Sequence, residues 1–188
     1  MKVNPIKSLE KIEQMKQELE KCNTKGMAEK TVFEKKRNRA LFCTGINTAL
    51  RVSDLTSLDL IDIFKEDLTF RNTVGETEQK TKKYKEFALN EKLKEELTKY
   101  ICCYFYILYG LGIGIDSISL DKLTDQEKEQ VKEIVRTKPL FPSERTEGHI
   151  SRYQVDRILK SAGAKCGLEK VGTHTMRKTF RLLVLSAN

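Results

Sequence analysis

The sequence predicts a mainly helical domain with one small antiparallel sheet, an α+β fold. Three observations predict it. Apolar residues recur at three- and four-residue steps along most of the chain. That period shifts once, between Leu68 and Leu89, to the shorter repeat of strands around a polar stretch. The length, 188 residues, suits one domain with a real core, and the whole of 1–188 is expected to form it.

Residues 4–21 read as the first helix, with Pro5 near its start and Ile6, Leu9, Ile12, Met15 and Leu19 on one face. Asn23 to Gly26 breaks the pattern. A second helix is expected from Glu29 to Asn47, with Phe33, Leu41, Phe42 and Ile46 as its apolar face. Arg51 then interrupts an apolar run, and a short helix is expected to begin near Ser53 as N-cap. Leu68, Phe70 and Val74 suggest one strand and Lys83 to Leu89 another, with a turn over Gly75 to Lys82. Asn90 opens a helix from Glu91 to about Leu108, and a charged helix follows from Thr124. Pro139 and Pro142 bracket an extended piece. Ser151 caps the next helix, whose face is Val155, Ile158, Leu159 and Ala162. Thr173 is expected to cap the last, from His174 to about Leu185.

The balance of 35 Lys+Arg against 27 Asp+Glu gives a net charge of +8. Nucleic acid and anionic membranes are the partners such a surface attracts, although Lys-rich solvated helices alone produce the same balance. The five cysteines, Cys22, Cys43, Cys102, Cys103 and Cys166, form no Cys-x-x-Cys pair. An odd count with two adjacent in an apolar run fits buried thiols in a reduced, cytoplasmic protein rather than a disulfide scaffold. With only His149 and His174 available, a zinc site is hard to assemble. Ile101 to Ile115 carries no charge, but it falls short of the ~20 residues that span a bilayer, and glycines interrupt its end. A buried or partner-contact helix is the expectation there, not a membrane segment.

Three segments carry candidate chemistry. In Gly172-Thr173-His174-Thr175-Met176-Arg177-Lys178, His174 and Arg177 stand three residues apart and share a helix face. They sit in a first turn that favours an anion. A buried histidine with a surface arginine would give the same spelling. In residues 45–63, Arg51 in an apolar setting needs an anionic partner, either a phosphate or an internal carboxylate, Asp54 or Asp62. In residues 78–89, Lys80, Lys82, Lys83 and Lys85 crowd a hairpin that either reaches phosphate or guards a sheet edge.

In this order, the three segments resemble the catalytic domain of the tyrosine recombinases, or phage integrases. TALRVSDL matches the family's first arginine box at Arg51. Lys80-Thr81-Lys82-Lys83 followed by Phe87-Ala88-Leu89 matches its hairpin lysine, and His174, Arg177, Lys178 and Thr179 match its second box. LFPSERTEGHISRYQVDRIL is similar to the approach to that box. The resemblance runs from about Val3 to Phe180.

It implies a tyrosine recombinase-like fold, double-stranded DNA and other recombinase protomers as partners, and no metal or ATP. In the family a tyrosine attacks a DNA phosphodiester, leaving a 3′-phosphotyrosine and a free 5′-hydroxyl. The resemblance assigns Arg51 and Arg177 to clamp the phosphate oxygens, Lys80 to protonate the leaving 5′-oxygen, and His174 to assist proton transfer. Lys82, Lys83, Ser151, Arg152, Thr173, Thr175 and Lys178 are the expected further DNA contacts.

The chain departs from the family in three places. The N-terminal clamp domain is missing, residues 101–136 read as an insertion, and RLLVLSAN at 181–188 replaces the usual continuation. No tyrosine follows Arg177, so no nucleophile is assigned, Tyr153 included. The expectation is a recombinase catalytic domain truncated before its nucleophile and inactive alone. A DNA-binding or regulatory remnant is the alternative, and a helical adaptor that does not bind DNA is a third reading.

Overall fold

A computed structural model describes residues 3–21, 28–77, 84–114, 117–143 and 148–186. Eight helices and a two-stranded antiparallel sheet are present among them, matching the expected fold class. The chain divides into two compact units, Met1–Thr56 with Ile150–Asn188, and Ser57–His149.

The first unit contains α1 (Leu9–Glu20), α2 (Glu29–Asn47), α3 (Val52–Thr56), α7 (Arg152–Lys165) and α8 (Thr173–Ser186). α1 begins five residues later than the period suggested. Ser8 accepts from the Lys11 N–H and caps it, while Pro5 and Ile6 belong to an extended lead-in; Ile6 supplies an apolar contact without being helical. Ile12, Met15 and Leu19 are its buried stripe, at the spacing that puts side chains on one face. α2 keeps its predicted bounds and packs on α1, α3 and α8. α3 starts at Val52, not after Ser53. The Arg51 carbonyl accepts from Leu55 N at 2.8 Å, which puts Arg51 in the cap position, and Ser53 Oγ donates to Asp54 instead.

The second unit contains α4 (Leu60–Ile63), β1 (Thr73–Thr77), β2 (Tyr84–Ala88), α5 (Glu91–Tyr109) and α6 (Asp125–Thr137). The strands pair from Thr73↔Ala88 to Thr77↔Tyr84. Gly75 to Thr77 of the expected turn therefore lie within a strand, and the rest of that turn, 78–82, is outside the described residues, as is Lys83 of the expected second strand. Leu68 is not in a strand. It takes a left-handed conformation, φ 60°, in a turn where the Asp67 carboxylate accepts from Thr69 N and Oγ1. Phe70 makes an isolated bridge to Phe64, and Val74 pairs with Phe87 inside the sheet.

α5 buries Leu93, Leu97, Tyr100, Ile101, Cys102, Tyr104 and Phe105 along one side. It stops at Gly110, whose φ of 70° suits a residue without Cβ. Among the described residues no helix is long and apolar enough to cross a membrane. The extended piece after α6 is held by phenols: Tyr104 donates to the Pro139 carbonyl at 3.2 Å and Tyr100 to that of Leu140 at 2.8 Å. Asp59 forms a backbone bridge with Pro139, and its carboxylate lies 2.9 Å from His149 Nε2. A second bridge joins Pro142 and His149, and Ser143 N donates to Gly148 O at 2.8 Å.

Candidate phosphate-engaging site

Arg51 follows buried Leu50 and precedes buried Val52. Those two apolar neighbours pin the backbone and leave the Arg51 side chain 23% exposed, with Nη1 4.0 Å from Asp54 Oδ2. Asp54 is 1% exposed, and its other oxygen accepts from Ser53 Oγ at 3.1 Å. The internal-carboxylate alternative raised by the sequence is thus present at Asp54. A carboxylate held this way can orient a guanidinium.

On α8 the pattern is equally local. Thr175, Met176 and Thr179 are buried, so helical geometry turns His174 outward and Arg177 to a partly exposed position on the same side. The cap is not Thr173, which is already helical. Gly172 N donates to Thr175 Oγ1 at 3.1 Å, and Thr173 N points at Asp156 Oδ1, 3.4 Å away on α7. The Asp156 carboxyl is held below the usual carboxylate range, chiefly by its bond to Lys160. An acidic group beside the first turn of α8 suits the helix dipole.

Gly45 on α2 links these two local structures. A Cβ there would lie 2.4 Å from Met176 Sδ and 3.2 Å from Leu55 Cδ2. Met176 precedes Arg177, and Leu55 is the residue whose N–H bonds the Arg51 carbonyl. Both arginine-bearing segments therefore close onto one spot of α2. Ser151 and Arg152 start α7, which packs on α3 and α8. Ser151 Oγ accepts from Gln154 N in a capping box, and Arg152 is exposed.

The remaining candidates divide. Thr173 and Thr175 are buried at the start of α8, and the Thr175 hydroxyl is engaged within the chain. Lys178 Nζ donates to the Val3 carbonyl at 2.7 Å. Lys80, Lys82 and Lys83 lie outside the described residues. Among the tyrosines, Tyr100 and Tyr104 are buried donors, and burial, then Tyr100 and Tyr109, pushes the Tyr104 phenol far above its usual range; Tyr153 is 87% exposed. Among the described residues no group of three His, Cys, Asp or Glu side chains is placed to hold a metal ion.

Sequence reasoning missed Gly45, Asp156 and the tie at Val3. Gly45 had a signal: an isolated glycine inside a helix costs about 1 kcal/mol relative to alanine and implies a packing reason. The tie at Val3 had none, because its partner lies 175 residues away.

The chain matches no protein-family model. It is 36% identical over 178 residues to a Bacillus subtilis (strain 168) protein named "Probable integrase/recombinase YoeC", covering 95% of this chain and 72% of that protein. It is 30% identical over 188 residues to tyrosine recombinase XerC of Thermodesulfovibrio yellowstonii, covering 96% of this chain and 54% of that one. Two solved structures of XerH site-specific recombinase bound to difH substrates have a similar fold. The pre-cleavage complex gives a TM-score of 0.59 at 17% identity, and the post-cleavage complex 0.62 at 18%. Both alignments cover all of this chain but only 45% and 44% of the XerH chains. Identity of 36% sustained across nearly the whole chain adds to the ordered boxes and the helical fold: the chain belongs to the tyrosine recombinase (phage integrase) family.

Proposed function

We propose that this chain is the DNA-engaging catalytic domain of a site-specific tyrosine recombinase. Its substrate is double-stranded DNA, and its site grips the phosphodiester at which strands are cut and rejoined. The observation that carries this reading is the meeting of α3 and α8 on Gly45, which ties the segments bearing Arg51 and Arg177 to a common support. It builds on family membership and on the XerH chains, whose structures are complexes with a difH substrate.

In this reading the two guanidiniums hold the non-bridging oxygens and stabilise the charge that develops on five-coordinate phosphorus. Asp54 orients Arg51, to which it is buried and adjacent. His174, exposed on the same side of α8, moves the proton at the attacking oxygen. Lys80 keeps the role implied by the family resemblance, donating a proton to the leaving 5′-oxygen. Ser151, Arg152, Lys178, Lys82 and Lys83 are proposed as supporting contacts to the DNA, whereas the burial of Thr173 and Thr175 at the start of α8 argues for a supporting role inside the chain. Other recombinase protomers are proposed partners, as for a family that works on paired sites, and the cytoplasm is the proposed compartment.

None of the six tyrosines follows Arg177, and Tyr100 and Tyr104 spend their hydroxyls on backbone carbonyls. The 188 residues by themselves are therefore assigned phosphate engagement without strand cleavage. The test is a suicide duplex carrying a nick beside the scissile phosphate, together with a gel-shift series. Retarded duplex that weakens on Arg51→Ala and Arg177→Ala, with no covalent adduct, is the expected result. A duplex affinity indifferent to both arginines overturns the reading in favour of a helical adaptor, and a covalent adduct overturns the missing nucleophile.

A further inference from the structure

The helix bearing His174 and Arg177 is tied down along its length by a short extended segment from the other end of the chain. Asn4 N donates to the Lys170 carbonyl at 3.1 Å. Val3 accepts from Lys178 Nζ at 2.7 Å, and its Cγ1 lies 3.2 Å from where a Cβ on Gly172 would stand. Ile6 N donates to Thr179 Oγ1 at 2.9 Å in a buried setting. The segment thus touches the turn before α8, the residue immediately ahead of it, and two positions nearly two turns further on.

Each tie has a reason. Lys170 has φ 55°, a conformation that a non-glycine residue adopts only at some cost. A hydrogen bond to its carbonyl helps fix the turn that launches α8. Thr179 is fully buried, as is Ile6, and a buried N–H without an acceptor is expensive. The hydroxyl of a small residue meets that need where a larger polar side chain would not fit.

Resting on the recombinase reading above, we infer that Thr179, with residues Val3 to Ile6, is a positioning element: it sets the axial position and rotation of α8, and thereby where His174 and Arg177 meet the phosphate. Thr179 touches no substrate and acts through Arg177. The inference also gives Lys178 two competing acceptors, the Val3 carbonyl and DNA phosphate, so that strap and substrate share one ammonium.

The experiment uses the 188-residue chain and a fluorescent duplex, with anisotropy titrations at one fixed salt concentration. The variants are Thr179→Val, Thr179→Ser, Asn4→Pro and Arg177→Ala, with Arg177→Ala also made in the Thr179→Val background. Thermal unfolding of each reports folding. Thr179→Val is expected to bind roughly tenfold more weakly. Thr179→Ser, which keeps the acceptor, restores binding.

Arg177→Ala adds little to Thr179→Val, because a displaced guanidinium is already disengaged. Asn4→Pro removes a donor at an exposed residue, so it keeps the question open to disproof if Thr179→Val fails to fold. It should weaken binding in the same direction. If the unaltered chain binds duplex and loses affinity on Arg177→Ala, while folded Thr179→Val or Asn4→Pro binds as well as the parent, the strap inference is overturned and the recombinase reading stands. If Arg177→Ala itself changes nothing, both fall.

Discussion

Met176 lies against Gly45 so closely that an alanine Cβ would come within 2.4 Å of its sulfur. Gly45→Ala requires the Met176 side chain to move and crowds Met176 Cβ and Leu55 at 3.1 and 3.2 Å. Overpacking of this kind costs about 1–3 kcal/mol, outweighing the gain of about 1 kcal/mol that alanine brings to a helix. A lowered denaturant midpoint is expected, and Gly45→Ala should cost less in a Met176→Ala background than in the parent, because the crowding atom is gone. A Gly45→Ala chain more stable than the parent would show that α8 does not rest on this spot.

Phosphate contacts release counterions, so binding should fall steeply with salt. The logarithmic slope is about −0.9 for each phosphate neutralised. Arg51→Ala and Arg177→Ala should each flatten that slope by about one unit. Titrations between low and physiological salt measure it, and a slope unchanged in either variant would remove that arginine from the site.

Burial holds Tyr104 as a neutral phenol. Because its folded pKa is raised, the folded chain keeps this proton longer than the unfolded chain. The resulting stability is complete below the ordinary tyrosine range and is lost as pH rises beyond it. Tyr104→Phe leaves the Pro139 carbonyl without this donor and should cost about 1–3 kcal/mol at neutral pH. It should also flatten the alkaline loss. Unfolding at pH 7 and above pH ~10 tests both parts, and a variant as stable as the parent at pH 7 contradicts the first.

Asp62 runs the other way from the usual carboxylate. Burial raises its pKa, although its Oδ2 accepts from Asp59 N at 2.8 Å. Its contribution therefore favours the fold at acid pH and is lost as pH rises through the folded pKa. Asp62→Asn keeps an acceptor and removes the charge. At pH 7 it should be neutral or stabilising, and the difference between the two chains should shrink as pH falls and the carboxyl takes up its proton. Destabilisation at pH 7 would mean that the charge itself is needed there.

The helices were legible because each carries its own signals. Asn90 and Ser151 cap as expected, Thr124, the expected start of a charged helix, is its N-cap, and the α2 bounds follow directly from its period. What failed was local spelling that tertiary context overrode. Leu68 looked like a strand residue, but Asp67 and Thr69 turn the backbone there. Thr173 looked like a cap, yet Thr175 and Asp156 fill that role. For the site, the residue types at Arg51, His174 and Arg177 were visible as a set. Their supports were not, since Gly45–Met176 and Thr179–Ile6 join residues more than a hundred positions apart.

The bridges around Asp59 have a practical consequence. The chain on either side of residues 144–147 is stapled shut by Pro142 and His149, and by Ser143 and Gly148, so strain introduced between the staples has no lever on the helices. A peptide epitope or a dye-bearing cysteine inserted after Ser143 would enter between residues that already close on each other, and each doubling of the length so closed adds about 0.6 kcal/mol. That makes this position a handle for labelling the protein at a point whose closure is set by Pro142, Ser143, Gly148 and His149.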